Sequence, residues 1–379
     1  MCVTMTHSVT AIVMLGREGP GPSERWVAGA RAAAARDAVA LLADGLPTLD
    51  RIVLATSEAG LPGEYPDLPV TWDLDQPGET FHFGTRLSAL LEKYPAAAHL
   101  YVGAGSVPLL PVVVLAEAVE EVAQAASPRA VTNNLYSSDW MALNCAAAVQ
   151  ARPQRLPSDN ALGWVLKTEA GVPVRSLPAS AATRLDIDTP ADLLLLAFHP
   201  HVGPALRVYL DAQPQDGGRW LAAGRRLFTP GGQVALIGRV ASGVWAHVEA
   251  HTQAWVRVFS EERGMSASGR QAAGQVKSIV GAHLARLGAP AFFAELSQMV
   301  EAVFFDTRVV LAHEQRWPSA GDRYASDLGR AADIADPYLR ALTAAALEAS
   351  IPIVLGGHGV VAGDLYGLVE VAQAGRLEA

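Results

Sequence analysis

Short apolar runs that alternate with longer helical segments constrain the fold of this 379-residue chain more than any other feature. In the first half, the runs at Val9–Leu15, Asp50–Thr56 and His99–Gly103 have the length and composition of buried strands, and the segments at 24–43 and 84–94 have helical character. Strands joined through helices pair in parallel, with helices covering both faces of the sheet. The sequence therefore predicts an α/β fold with a mostly parallel, doubly wound, Rossmann-like sheet.

The alternation is interrupted between residues 201 and 232, where proline and glycine residues punctuate the chain. We predict a first α/β domain over residues 1–200, a linker over 201–232 and a second α/β domain over 233–379. In the second domain we expect, among other elements, a helix at Gln271–Leu287 and a strand at Val303–Ala312.

Charge and cysteine content exclude several functional classes. The formal net charge is -9, which argues against a general nucleic-acid binder, whose surface would be basic. Two cysteines allow neither a disulfide framework nor a zinc-finger spacing. No apolar run reaches membrane-spanning length, and the N-terminus lacks the basic stretch of a signal peptide. We expect a cytoplasmic protein without nucleic-acid or membrane partners, and the sequence leaves a homo-oligomer open.

A pair of carboxylates near the midpoint is the main candidate site. Asp186 and Asp188 alternate with Ile187 as in a short strand, and the next residues predict a helix that begins at Pro190, behind the cap Thr189. Two carboxylates on one side of a strand end can hold a divalent cation such as Mg²⁺. Alternatively, both side chains only solvate the strand end.

Three segments of the first half together resemble the GT-A-type nucleotidyltransferase superfamily, in particular the molybdenum-cofactor and 2-phospho-lactate guanylyltransferases. These segments are the strand and glycine-containing loop at 12–29 followed by Asp50–Thr56, the stretch Leu100–Leu110, and Asp186–Leu193, which is similar to the closing Asp-x-Asp-Thr-Pro-x-Asp-Leu of the family. The resemblance covers about residues 9–197. It implies a GT-A domain that uses an NTP and Mg²⁺ and transfers the NMP to a small phosphorylated or carboxylated acceptor.

The resemblance also implies roles for individual residues. It assigns the following residues to the bound nucleotide: Gly16, Arg17, Gly19, Arg25 and Ser106. Asp186 and Asp188 would then be the catalytic metal ligands, with Asp139 or Asp159 as further candidates. The chain departs from the family in two places, because its loop has no lysine and because the neutral Ser106 replaces a metal-binding aspartate. A catalytically degenerate nucleotide-binding or assembly module is therefore the first alternative.

Two asparagine-containing segments follow predicted strands or precede predicted helices. Asn133-Asn134 and Ser158-Asp159-Asn160 could recognise a base or a ribose by hydrogen bonds. The same residue types are also common in turns and helix caps, and the sequence leaves both interpretations open.

A loop in the second half has the composition of an anion site. Ser266, Ser268 and Arg270 lie in a glycine-containing stretch between a predicted strand and a predicted helix, where free N–H groups and the helix dipole attract anions. A surface loop can have the same composition. We expect a phosphate or carboxylate site here.

A single histidine follows the last predicted strand. His358 stands among Gly356, Gly357 and Gly359, and a backbone without side chains at this point allows a ligand to approach closely. His358 could act as an acid or base, or bind a metal. Together with Asp306 and Arg308 it defines the second alternative, a hydrolase or transferase site in the C-terminal domain, although Asp306 and Arg308 could equally form a structural ion pair.

Overall fold

The computed structural model of this protein describes residues 8–76, 78 and 80–378. Its contacts divide the chain into two compact units that interleave along the sequence. The first unit contains the chain up to Arg17, Arg31–Thr183 and Gly203–Leu206, and the second contains Glu18–Ala30, Arg184–Val202 and the chain from Arg207 onward. The sequence-derived limits at residues 200 and 233 remain a prediction for independently folding domains.

Strands and helices alternate along the described residues, which confirms the α/β class. The strands are β1 Val9–Leu15, β2 Leu49–Thr56, β3 Thr71–Leu74, β4 Ala98–Gly103, β5 Ala130–Thr132, β6 Trp140–Leu143, β7 Val174–Ser176, β8 Gln233–Gly238, β9 Trp255–Ser260, β10 Ala302–Asp306 and β11 Ile353–Gly356. The helices are α1 Pro22–Gly45, α2 Leu61–Glu64, α3 Phe83–Lys93, α4 Val112–Ala123, α5 Ala146–Gln150, α6 Leu162–Thr168, α7 Ala181–Arg184, α8 Pro190–Leu196, α9 Pro204–Ala212, α10 Gly218–Phe228, α11 Ser242–His251, α12 Ile279–Leu287, α13 Ala289–Ser297, α14 Thr307–His313, α15 Ala320–Asp327, α16 Pro337–Glu348 and α17 Gly363–Gln373. Short 3-10 helices lie at Pro153–Arg155, Asp159–Ala161, Ala331–Asp333 and Gly359–Val361.

The first unit is built on a seven-stranded sheet in the order β3-β2-β1-β4-β6-β5-β7. β1 pairs in parallel with β2 and with β4, whereas β6 is antiparallel to both of its neighbours. The carboxyl ends of β1, β2 and β4 therefore share one edge of the sheet, where ligands bind in open α/β sheets. The prediction of a mostly parallel sheet is confirmed.

Helices cover both faces of this sheet. Alternate β1 residues such as Val13 pack with Leu42 of α1 and Leu115 of α4, whereas Ile12 packs with Leu87 of α3 and other residues on the opposite face. Burial on both faces explains why β1 is an uninterrupted apolar run rather than an alternating one. The doubly wound arrangement follows directly from this pattern.

The second unit is built on a four-stranded, fully parallel sheet in the order β11-β10-β8-β9. One face packs against α12, α13 and α16, through a cluster that includes Ile237, Phe305, Phe293 and Leu342. On the other face, Trp220 of α10 contacts Phe304 at a ring-centroid distance of 5.5 Å. The carboxyl ends of all four strands lie at the same edge.

Three sequence-derived elements of the second half need correction. The predicted strand Val303–Ala312 ends at Asp306, because the Asp306 carboxylate accepts the Arg308 N–H at 3.2 Å and starts α14. The predicted helix at Gln271–Leu287 begins only at Ile279, since turns fill the residues before it and Gly274 has a φ of 64°. The segment 201–232, predicted to be a linker, contains α9 and α10.

Among the described residues, no helix combines the length and the apolar character that crossing a membrane requires.

Candidate functional site

The segment that contains Asp186 and Asp188 packs within the second unit, against the glycine-rich turn that follows β11. A Cβ atom on Gly359 would overlap the Asp192 carboxylate, and one on Gly363 would overlap the Arg184 carbonyl oxygen. A Cβ atom on Gly356 would lie 2.9 Å from the Ala191 Cβ atom. These glycines are therefore explained by close packing of the chain against itself.

The turn into α8 has the predicted cap but not the predicted strand. The Asp192 Oδ2 atom accepts the N–H groups of Thr189 and, at 2.9 Å, of Asp188, which forms a capping box at the start of α8. No strand pairs with residues 186–188, so the strand prediction is wrong. The alternation itself is real, because Ile187 is buried whereas Asp188 is exposed.

Asp192 and Asp364 form a buried pair of carboxyl groups. Asp364 is 1% exposed, and apart from the Asp192 carboxyl group its oxygens have no hydrogen-bond partner among the described groups. Burial raises the pKa of Asp364 to about 7; the hydrogen bond with Asp192 opposes this rise, whereas the charges of Asp186 and Asp188 add to it. Burial, and then the charges of Asp364 and Asp188, hold the pKa of Asp192 well above its usual range. Burial and the neighbouring negative charges therefore favour the protonated form of both carboxyl groups.

His358 lies at the same edge of the four-stranded sheet, as an exposed residue of the turn after β11. Its Nε2 atom is 3.2 Å from the carbonyl oxygen of Arg239, so this nitrogen donates and Nδ1 is the acceptor of the ring. Desolvation by the surrounding loops and the Arg239 charge lower the pKa of His358, whereas Asp306 and Asp188 oppose the decrease. A neutral imidazole near acidic groups can accept a proton.

Asp306 is a structural anchor of this edge. Its carboxylate is fully buried and accepts Arg239 Nε at 2.6 Å and Arg239 Nη2 at 3.1 Å, in addition to the N–H of Arg308. Burial tends to raise the pKa of Asp306, but Arg239 outweighs it and the pKa falls below its usual value. With its oxygens engaged, Asp306 is poorly suited to act as a nucleophile.

Asp306 and Arg308 do not form the expected ion pair with each other, because Arg308 is paired with Asp327. Arg308 lies in the first turn of α14, because β10 ends at Asp306. Its Nη1 and Nη2 atoms each lie 2.6 Å from an oxygen of Asp327, which makes a buried bidentate ion pair. Arg308 therefore stabilises the fold.

In the predicted triphosphate loop, the Glu24 carboxylate takes the place at which a phosphate would bind. The Glu24 Oε2 atom accepts the N–H of Gly21 at 2.9 Å, and a Cβ atom on Gly19 would overlap this carboxylate. The Arg25 guanidinium donates to the carbonyl oxygen of Pro20. Glu24 thus occupies the N-terminus of α1, where a phosphate would otherwise be attracted.

The other two residues assigned to this loop belong to the first unit. Arg17 forms an exposed ion pair with Glu58, with 3.3 Å between Nε and Oε1. Gly16 is exposed, and the space that a Cβ atom would occupy there is open. Their roles in nucleotide binding remain predictions.

Polar groups also collect at the carboxyl edge of the seven-stranded sheet. The Ser106 hydroxyl donates to the Gly103 carbonyl at 2.6 Å, and the Tyr101 hydroxyl donates to Asp159 at 3.2 Å. Burial raises the pKa of Tyr101 well above its usual value, and the charges of Asp159 and Asp139 add to the rise. Both aspartates are thus close to this edge.

The asparagines predicted to recognise a base or ribose bond to neighbouring protein groups. Asn133 is buried and donates to the carboxylate of Asp139. Ser137 joins Asp139 to Asn160, with Oγ distances of 2.7 Å and 2.8 Å to the two acceptors. Asn134 accepts the N–H of Tyr136 at 3.2 Å, as turn asparagines do. These contacts favour the structural interpretation for Asn133.

The predicted anion-binding side chains of the second unit bond within their own loop. Arg270 Nη1 lies 2.6 Å from Glu262 Oε2, and Arg270 Nε donates to Ser268 at 3.1 Å. The Ser266 hydroxyl donates to Gln271 Oε1 at 2.6 Å. Anion binding by these residues remains a prediction.

The N-terminus of the helix that follows this loop also binds a carboxylate of the protein. Glu261 Oε1 accepts the Ile279 N–H at 2.7 Å, and Ser278 caps α12 by accepting the Gly281 N–H at 2.7 Å. A glutamate therefore holds the position at this helix N-terminus that an anion would take, as Glu24 does at α1.

Sequence reasoning missed Arg239 and the pairing of Asp192 with Asp364. It treated the aspartate pair and His358 as parts of two different domains, whereas Asp186 and Asp188 act electrostatically on Asp364, and Asp188 acts on His358. The only local signals were the glycines at 359 and 363. They indicate that another segment packs closely here, but they do not identify that segment.

Solved structures similar to this chain include nucleotide-using enzymes. A cytidylyltransferase from Leptospira borgpetersenii has a TM-score of 0.40 and 13% identity, and the match covers 54% of this chain and 94% of that one. A nucleotide-diphospho-sugar transferase from Desulfovibrio desulfuricans has a TM-score of 0.37 and 16% identity over 54% of this chain and 95% of that one. A CMP-2-keto-3-deoxy-manno-octonic acid synthetase complexed with CTP has a TM-score of 0.32 and 10% identity over 46% and 90%.

No protein-family description and no curated protein matches the chain.

The contact of Gly363 with Arg184 predicts a specific instability. We expect Gly363→Ala to lower the free energy of unfolding by about 1–3 kcal/mol, because its Cβ atom would overlap the Arg184 carbonyl oxygen. Gly243→Ala is the matched control, since Gly243 also lies in the first turn of a helix and its Cβ would be 3.8 Å from the nearest atom, the Tyr366 hydroxyl. Urea unfolding measures both, and equal effects would contradict the proposed close packing.

The raised pKa of Asp364 predicts a pH dependence of stability. The folded state holds this proton more tightly than the unfolded chain, so stability is highest below the unfolded value of 3.8 and is lost as the pH rises through about 7. We expect this group to contribute a slope of about 1.4 kcal/mol per pH unit between those limits. Asp364→Asn should reduce the slope in denaturant unfolding at several pH values, whereas the exposed control Asp44→Asn should leave it unchanged.

Proposed function

We propose that this chain is a nucleotidyltransferase-like protein that binds an NTP with a divalent cation at Asp186 and Asp188. The nucleoside monophosphate would pass to a small acceptor that carries a phosphate or a carboxylate. The observation that carries this proposal is the cluster of carboxyl groups at the carboxyl edge of the four-stranded sheet, where the charges of Asp186 and Asp188 act on the buried Asp364 and that of Asp188 acts on Asp192.

The carboxylates of Asp186 and Asp188 fit a cation that binds together with a nucleotide better than an ion that the protein holds by itself. Among the described residues, no three His, Cys, Asp or Glu side chains are grouped closely enough to hold a metal ion alone. Mg²⁺ commonly binds one or two carboxylates and takes its other ligands from substrate phosphates and water. Asp186 and Asp188 would supply such a pair, and the bound ion would neutralise charge on the phosphate oxygens.

The chain itself would position the acceptor and receive its proton. The acceptor oxygen would attack the α-phosphorus in line, and the bond to pyrophosphate would break as pyrophosphate leaves. Where the acceptor attacks through a hydroxyl, Nδ1 of His358 would take the proton, since its Nε2 is held by the Arg239 carbonyl. Arg239, fixed by Asp306, would hold this edge in place.

A nucleotide-binding module without turnover is the second candidate. Glu24 favours it, because a carboxylate on the Gly21 N–H competes with the phosphates that this loop would bind. Ser106 also favours it, because a neutral hydroxyl that donates to Gly103 is a poor cation ligand.

Nucleotide binding tests the proposal directly. We expect CTP or GTP with Mg²⁺ to raise the melting temperature of the protein, and Mg²⁺ alone to have little effect. Asp186→Asn and Asp188→Asn should each weaken binding of the Mg²⁺ nucleotide by tenfold or more, on the order of 1.4 kcal/mol. The control Asp44→Asn should bind as the wild type does, and an unchanged affinity in both aspartate variants would refute the cation site.

Release of pyrophosphate separates the two candidates. Turnover with a panel of phosphorylated and carboxylated acceptors would support the transferase, and tight binding without pyrophosphate would support the module.

Removal of the Glu24 charge should open the loop to phosphate. We expect Glu24→Gln to increase affinity for NTP by about fivefold, because about 1 kcal/mol of repulsion between the carboxylate and a phosphate is lost. Glutamine keeps an oxygen that can accept the Gly21 N–H, so the cap is preserved. Isothermal titration calorimetry measures the change, and an unaltered affinity would mean that phosphates do not approach this loop.

A further inference from the structure

The outer edge of the four-stranded sheet is β9, and none of its residues is buried. The Trp255 N–H donates to Gly232 at 2.8 Å, and the Glu261 N–H donates to Gly238 at 2.9 Å, both on the β8 side. Backbone groups of successive strand residues point to alternate sides, so the odd-numbered residues bond to β8. Val256, Val258 and Ser260 therefore direct their N–H and C=O groups outward.

This edge lacks the usual protection against pairing. Such strands are normally blocked by lysine, proline, a bulge or a covering element. Here the one charged side chain is Arg257, whose Nη1 atom donates to Gln233 Oε1 at 2.9 Å within the same sheet. Trp255 is 72% exposed and Phe259 is 40% exposed, which leaves apolar surface along the strand.

A third exposed apolar side chain lies on the same face of the sheet. β9 residues are in register with β8, so Arg257 and Phe259 share the face of Ala235 and Ile237, and that face packs against α12. Ile279, the first residue of α12, is 84% exposed. Ile279 and Trp255 are the most exposed large apolar side chains among the described residues.

We propose that β9 pairs antiparallel with β9 of a second copy of this chain, about a two-fold axis at Val258. The two four-stranded sheets then become one eight-stranded sheet. This inference does not depend on the proposed nucleotide chemistry. It concerns β9, which is the edge strand on the opposite side of the sheet from β11.

Charge favours this register over one centred on Arg257. With the axis at Val258, the two Val258 residues exchange both backbone hydrogen bonds, and Arg257 lies opposite Phe259 of the partner subunit, where a guanidinium and an aromatic ring attract each other. An axis at Arg257 would place two guanidinium groups opposite each other, which is destabilising.

The same register covers the exposed apolar side chains. Trp255 comes opposite the partner's Glu261, and the Glu261 carboxylate bonds to the N–H of Ile279 at 2.7 Å. Trp255 of each copy therefore meets Ile279 of the partner subunit, on the face that carries α12. One register thus satisfies the outward backbone groups and buries both residues.

Disulfide trapping tests the axis. In a chain with Cys2→Ser and Cys145→Ala, Val258→Cys places two thiols on the axis, with Cα atoms about 5.5 Å apart, within disulfide range. Val256→Cys is the matched control, because its two Cα atoms would be about 14 Å apart along the paired strands. We expect mild oxidation to give a disulfide-linked dimer with Val258→Cys and not with Val256→Cys.

Sedimentation of the unoxidised wild-type chain provides the second measurement. We expect twice the mass of one chain, and we expect Val258→Pro to give the mass of one chain, because proline removes an outward N–H without removing a bond to β8. A wild-type chain that sediments as a single copy would overturn the proposal and leave the edge to an extended peptide of another protein. Equal trapping of Val256→Cys and Val258→Cys would overturn the register.

Discussion

The close packing of Arg184–Asp192 on the turn after β11 is the interaction on which the second unit depends. It requires glycine at 359 and 363, because a Cβ atom at either position would overlap the segment. The same approach buries Asp192 beside Asp364 and leaves Asp188 exposed. Packing and acidity at this edge are therefore consequences of one backbone contact.

Buried carboxylates in this unit are stabilised in two different ways. Asp306 is compensated by a guanidinium, since Arg239 binds both of its oxygens. Asp364 has no cationic partner among the described groups, and its raised pKa favours the uncharged form instead. The first arrangement is fixed across the neutral range, whereas the second responds to pH or to an arriving cation.

The sequence predicted those parts of the fold that depend on local pattern. The limits of β1 and the cap at Thr189 follow from an apolar run and from the preferences of helix N-termini. The run Val303–Ala312 was misinterpreted because it is apolar throughout, and only the Asp306 side chain marks where the strand becomes a helix. Asp186 and Asp188 were identified as candidates, but their proximity to Asp364 was not, because they come more than 150 positions earlier in the chain.

The interleaved path of the chain has a consequence for dissection of the protein. A fragment that begins at residue 233 keeps every strand of the four-stranded sheet but loses α8 and α10. Phe304 would then lose its contact with Trp220, which is absent from the fragment. The turn after β11 would lose the segment Arg184–Asp192, which packs against its glycines. Neither compact unit corresponds to one continuous stretch of sequence, so simple truncation or fusion at a single junction would transfer neither of them intact.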